Sequence, residues 1–126
     1  MTECPCGSVS SYDECCGALH RREREAATPD ELMRSRYTAF VVGDGDYLFR
    51  TWHPRTRPDD ISVAPDPRWL GLRIVDAPEP VGGRGEVEFV AEHAGWTLHE
   101  RSRFERRRGR WVYVDGDVGD PGLTGR

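Results

Sequence analysis

All four cysteines of this chain lie between positions 4 and 16, as Cys4-Pro5-Cys6 and, eight residues on, Cys15-Cys16. No other feature restricts the fold as much. Cysteines used for packing would be scattered through the chain. Here four soft donors sit on one short loop, the donor set that zinc takes up tetrahedrally, with sulfur at about 2.3 Å. Pro5 and Gly7 suit a tight turn around Cys6. Ser8 to Ser11 and Tyr12-Asp13 carry the chain to the second pair, and Gly17 releases it. Two other uses of the thiols stand beside this one. Disulfides would allow three pairings, though a bond between neighbouring cysteines is strained. A redox-active pair is disfavoured because no Cys-x-x-Cys is present. His20 is an alternative fourth ligand, or a neighbour on the same short helix.

The remaining sequence fits one ordinary domain within 126 residues. Charged residues make up 32% of the chain, but four tryptophans and four tyrosines keep it out of the disordered class. All 18 basic residues are arginine, which excludes Schiff-base lysine chemistry and a P-loop. A net charge of −4 gives no global attraction to nucleic acid or to an anionic membrane. The N-terminus lacks a basic n-region and an apolar h-region, and no apolar run approaches the roughly 20 residues of a membrane span. A cytoplasmic protein is expected, without membrane contact and with its thiols reduced.

Residues 21–27 read as a charged, helical connector with a solvated face. Thr28-Pro29-Asp30-Glu31 is a helix start: a capping threonine, proline at the first position and glutamate to close a capping box. The helix runs to Val42 with Met33, Tyr37, Phe40 and Val41 on one stripe, and Gly43 and Gly45 end it. Asp46 to His53 reads as a second short helix stopped by Pro54, and 54–68 as a loop. Alternation then predicts strands over 70–76, 86–93, 96–107 and 110–117, joined mainly by hairpins. Two helices followed by an antiparallel sheet make an α+β layout. Residues 119–126 read as a flexible tail.

Two resemblances follow from these strings. Residues 4–20, CPCGSVSSYDECCGALH, resemble the SEC-C motif, the zinc-binding module at the end of the SecA motor protein. The match covers both cysteine pairs, the spacer, the Gly-Ser after the first pair and the tyrosine three residues before the second. Val9-Ser10-Ser11 replaces the small and basic residues usual there, which weakens any inherited partner contact and leaves the ligands intact. Leu32-Met33-Arg34-Ser35-Arg36-Tyr37, Ala39-Phe40, Asp46-Tyr47-Leu48, Thr51-Trp52-His53, Trp69, Gly71-Leu72, Glu100, Ser102 and Phe104 resemble the YchJ-like family. The resemblance implies a bacterial protein with an NTF2-like cone, a curved antiparallel sheet packed on helices, behind a small zinc knuckle. It divides the chain into residues 1–20, 21–27, 28–118 and 119–126. It implies little about activity, because this cone hosts enzymes and pure binding modules alike.

Trp96, Leu98, Glu100, Ser102 and Phe104 share one face of the third strand, so Glu100 and Ser102 are expected inside the cone. Inward polar groups need partners, and Arg34, Arg36 and Trp52 with His53 are the candidates. The cluster is either a buried ion pair or a pocket for a polar ligand. An enzyme would use Glu100 and His53 as acid and base, with Arg34 or Arg36 holding an anion. His93 and His99 are expected on exposed strand faces, and Asp44, Asp46, Asp115 and Asp117 at turns. The arginines from 101 to 108 read as a basic rim, a solvated hairpin or an RNA or ribosome contact. Val112, Val114 and Leu98 are candidates for a homodimer face. The leading reading is a binding module. A structural Zn2+ on four thiolates would support contact with a protein or ribosome through the knuckle, or a small molecule in the cone.

Overall fold

The computed structural model describes residues 3–119, and the expected tail beyond Gly119 lies outside them. Three helices, α1 (Cys16–His20), α2 (Pro29–Val42) and α3 (Gly45–Arg50), precede four strands. These are β1 (Trp69–Asp76), β2 (Arg84–His93), β3 (Trp96–Arg107) and β4 (Arg110–Gly119). The strands form one antiparallel sheet in the order β1-β2-β3-β4. The curved sheet closes around α2 as an NTF2-like cone, the α+β class the sequence pattern implies.

α2 starts where its caps dictate. The Thr28 hydroxyl accepts from Glu31 N at 3.0 Å, and the Glu31 carboxylate accepts from Ala27 N at 2.7 Å. Gly43 ends the helix in the left-handed conformation (φ 83°). Its amide donates to Ala39 O at 2.8 Å. Gly45, expected as part of that stop, instead opens α3, which Asp44 caps by accepting from Tyr47 N at 3.0 Å. α3 ends at Arg50 rather than His53. Residues beyond it peel away because β4 offers a better partner: Tyr113 N donates to Thr51 O and His53 N to Tyr113 O, both at 2.8 Å. Residues 21–27 form turns and bends rather than a helix.

Core residues come from alternate positions of the sheet and from α2 and α3. Val87, Phe89, Ala91, Phe104 and Trp111 pack on Leu32, Met33, Tyr37, Tyr47 and Leu48. Each buried Val, Leu, Met or Phe among them contributes roughly 1.5–3 kcal/mol. Two aromatic residues assigned inward lie at the rim: Phe40 is 38% exposed and Trp96 51%. α2 is buried on both sides, because α1 packs on it opposite the sheet and Leu19 joins the main core. Val112 and Val114 are buried within the chain. They lie where Thr51 to Thr56 runs along β4, with the Thr56 hydroxyl on Val114 O. They are therefore no exposed dimer face. No helix among the described residues is long and apolar enough to cross a membrane.

Candidate functional site

The first constellation is the cysteine cluster. Cys4 N donates to Ser10 O at 2.9 Å and Gly7 N to Cys4 O at 3.1 Å, which folds the loop back on itself. Cys15 and Cys16 then enter α1 beside it. The four sulfurs lie within 4.8 Å of one another, with Cys6–Cys15 at 3.7 Å and Cys15–Cys16 at 4.0 Å. A tetrahedral ion with sulfurs at about 2.3 Å needs sulfur separations of about 3.8 Å. The donor set therefore fits one metal ion, and all four cysteines are free thiols. The Ser8 hydroxyl donates to Cys15 Sγ at 3.3 Å, and Thr38 of α2 lies 3.9 Å from Cys4 Sγ. Interaction with Cys16, then with Cys6, holds Cys4 down at about 3, while sharing with Cys4 and Cys6 and burial push Cys16 far up. Thiols this close cannot all ionise unless a cation lies among them.

His20 stands outside the sulfur group. Its Nε2 donates to Ser35 O at 2.9 Å and its Nδ1 accepts from the Tyr12 hydroxyl at 2.7 Å. Both ring nitrogens are thus occupied, Nε2 fastening the knuckle to α2 and Nδ1 held within the knuckle. Burial is the largest influence on this imidazole and lowers its pKa, keeping it neutral.

The second constellation is a pocket of about 270 Å³ between α2 and the concave face of the sheet. Trp52, Trp69, Trp96 and Phe89 wall it, and Arg36, Glu100, Ser102 and Tyr113 supply its polar groups. Arg36 is 4% exposed. Its guanidinium sits 5.0 Å from the Trp52 ring and 4.6 Å from that of Tyr113. Nη1 donates to Leu48 O at 3.0 Å and to the Thr51 hydroxyl at 2.8 Å. Burial lowers this arginine to about 10, which leaves it charged at neutral pH. Glu100 Oε2 accepts from the Ser102 hydroxyl at 2.7 Å and the Tyr113 hydroxyl at 3.0 Å. Burial, then the Glu100 charge, pushes Tyr113 well above its usual range, so its proton stays on the phenol. Trp52 Nε1 is buried with no partner among the described residues.

The model of the YchJ middle NTF2-like domain matches residues 28–116. The chain belongs to the YchJ-like family. It is similar to a UPF0225 protein of Streptomyces coelicolor, with 52% identity over 119 residues, 93% of this chain and 96% of that one. It is also similar to the solution structure of a SEC-C motif containing protein from Rhodopseudomonas palustris. There the TM-score is 0.77 at 38% identity, covering 94% of this chain and all of that one. A crystal structure of a SEC-C motif containing protein from Psychrobacter arcticus shares the fold, with a TM-score of 0.74 at 23% identity, over 95% and 84% of the two chains.

In this YchJ-like chain the expected site residues divide. Arg36, Trp52, Glu100 and Ser102 meet in the cone. Arg34 does not: it leaves the other side of α2, donating to Cys6 O at 3.1 Å and to Asp30 at 3.2 Å. His53 also lies outside. Its Nε2 is 3.5 Å from Glu105 and its Nδ1 accepts from Arg55 N at 2.9 Å, so it forms no pair with Glu100. Among the described residues, no histidine and no second carboxylate line the cone. His93, expected on an exposed face, is buried and reaches Asp66 at 3.0 Å while stacking on Trp96 at 4.7 Å. His99 is half-buried against Glu88 at 2.7 Å. Asp115 and Asp117 lie within β4 rather than at a turn, each held by Arg103.

Two cone residues escaped the sequence reading. Tyr113 faces inward like Trp111, an alternation legible in β4, but the bulge between Arg103 and Phe104 breaks that register immediately afterwards. Gly116 pairs with Ser102, and a Cβ there would collide with the Glu100 carboxylate. This glycine makes room for the acid.

Proposed function

We propose that this YchJ-like chain is a binding module in which a structural zinc fixes the knuckle on α2 and the cone beneath takes a small, planar, neutral ligand. Cys4, Cys6, Cys15 and Cys16 would hold the ion with four thiolates and leave no position for a water, so it would supply folding energy rather than hydrolysis. Soft sulfur donors in this geometry favour zinc over hard cations. Such a site suits a reducing, cytoplasmic compartment.

The observation that carries the ligand reading is Trp52 Nε1, a donor without an acceptor at the wall of an aromatic pocket. A buried donor left unpaired costs about 1–3 kcal/mol, which a ligand acceptor would recover once the Trp52 ring shifts to present its N–H to the cone. Arg36 and Glu100 nearly balance in charge, so the cone suits a neutral molecule with an acceptor over a strong anion. Acid–base chemistry by His53 and Glu100 has no geometric support, because Glu100 lines the cone while His53 lies outside it against Glu105.

Benzamide, a flat ring bearing one acceptor, is the probe. Three of the four tryptophans line the cone, so binding is read from their fluorescence. Saturable quenching with a rise in melting temperature is expected for the zinc-loaded chain. Trp96→Ala, at the half-exposed mouth, should weaken it without unfolding the domain. Linear, non-saturating quenching identical in both proteins would remove the reading.

A further inference from the structure

A second surface, which shares only Trp52 with the cone, gathers arginines from three separated segments. Arg22 comes from the turn after α1, Arg50 and Arg57 from α3 and the segment after it, and Arg107, Arg108 and Arg110 from the β3–β4 hairpin. They surround a groove of about 310 Å³. Against these six cations stand two exposed carboxylates, Glu25 at 3.8 Å from Arg110 and Asp46 at 3.7 Å from Arg22 and 3.4 Å from Arg50. A chain whose net charge is −4 therefore concentrates an excess of about four positive charges on one face. Two arginines elsewhere on the sheet are neutralised: Arg101 meets Asp76, Glu86 and Glu88, and Arg103 meets Asp115 and Asp117.

The backbone adds an independent sign. Among the described residues, the two non-glycine residues with positive φ are Arg22 (66°) and Arg108 (54°), both on this groove. Left-handed backbone favours glycine and asparagine, and a two-residue hairpin turn ending in Gly109 (φ 80°) favours Asn-Gly. Arginine at these positions is a poor choice for folding and a good one for projecting charge.

We propose that this groove binds the sugar-phosphate backbone of nucleic acid. Planar guanidinium forks match phosphate oxygens, and several of them from different segments can follow successive phosphates. Each aromatic ring lining the groove already carries an arginine on one face, Arg57 on Phe49 at 3.9 Å, Arg36 on Trp52 at 5.0 Å and Arg106 on Trp111 at 5.9 Å, which disfavours base stacking there. Contact is with the backbone and carries no base readout. An acidic protein partner fits less well, because protein interfaces are anchored by buried apolar side chains. Among the described residues, none of the exposed large hydrophobic side chains lines this groove.

The test uses the full, zinc-loaded chain and labelled short RNA and DNA duplexes, followed by fluorescence anisotropy. Binding at about 50 mM salt should weaken roughly 100-fold by about 200 mM, the dependence expected for about four neutralised phosphates. Arg108→Asn relieves the turn and removes a charge. It should leave the melting temperature equal or higher while weakening binding severalfold and reducing the salt slope by about 1. Arg107→Glu should weaken binding further. Preference for RNA or DNA identifies the source of the backbone. Absence of binding to both duplexes at about 50 mM salt overturns the proposal. So does binding unchanged in both variants, or displacement of neither duplex by salt. Capture of polyglutamate in place of either duplex would assign the groove to an acidic protein instead.

Discussion

His20 and Ser35 join the two parts of the molecule: the imidazole Nε2 donates to the helix carbonyl across 2.9 Å, while Tyr12 holds Nδ1 from the knuckle side. The bond requires a neutral ring with its proton on Nε2, and burial enforces that by lowering the pKa below 6.5. Between the folded and unfolded pKa values the unfolded chain binds the additional proton, so stability falls as pH drops through that window. Full stability is present above about pH 6.5. Melting temperatures should decline from pH 7.5 towards pH 5.5 by more in the native protein than in His20→Gln. Equal pH dependence in the two proteins would show that this ring is not the titrating group. Comparing the two also separates the histidine from acid release of the metal, which affects both.

Gly116 and Glu100 make a second pair whose coupling is measurable. Gly116→Ala places a methyl group against the carboxylate that Ser102 and Tyr113 hold. Overpacking of this kind costs about 1–3 kcal/mol, to be read by chemical denaturation. Adding Glu100→Ala should recover part of the loss, giving a non-additive cycle. Strict additivity would mean that the clash is relieved elsewhere.

Arg36 satisfies the Leu48 carbonyl at the end of α3 as well as closing the floor of the cone. Replacing it with methionine keeps the volume and removes two hydrogen bonds and a buried charge. A loss of about 1–3 kcal/mol is expected from the Leu48 carbonyl, which keeps only the long 3.5 Å contact from Thr51 Oγ1. Arg36→Lys should lie between the two, since an ammonium retains charge but not the planar stacking on Trp52 and Tyr113. A methionine variant as stable as the native protein would show that desolvating the guanidinium cancels its bonds.

Much of this architecture is written in local signals. Four clustered cysteines, the Thr28–Glu31 start and the alternating strands each depend on residues close in sequence. The errors arise where the answer depends on distant packing. Arg34 and Arg36 are separated by one residue, yet one faces the knuckle and the other the cone, because α2 is covered on both sides. A helix with two buried faces has no polar stripe to orient it. His53 was drawn away when residues 51–53 joined β4. The inward turn of His93 was legible, because it continues the alternation of Val87, Phe89 and Ala91. Its partner Asp66 sits in a loop without period, and no spacing rule could supply it.

The cysteine cluster is central to the account, and native mass spectrometry with thiol counting tests it most directly. The freshly purified chain should carry one zinc ion and show no reactive thiol until a chelator is added. Chelation should then expose all four cysteines and lower the melting temperature. A fully folded, metal-free chain with its cysteines paired as disulfides would contradict the account.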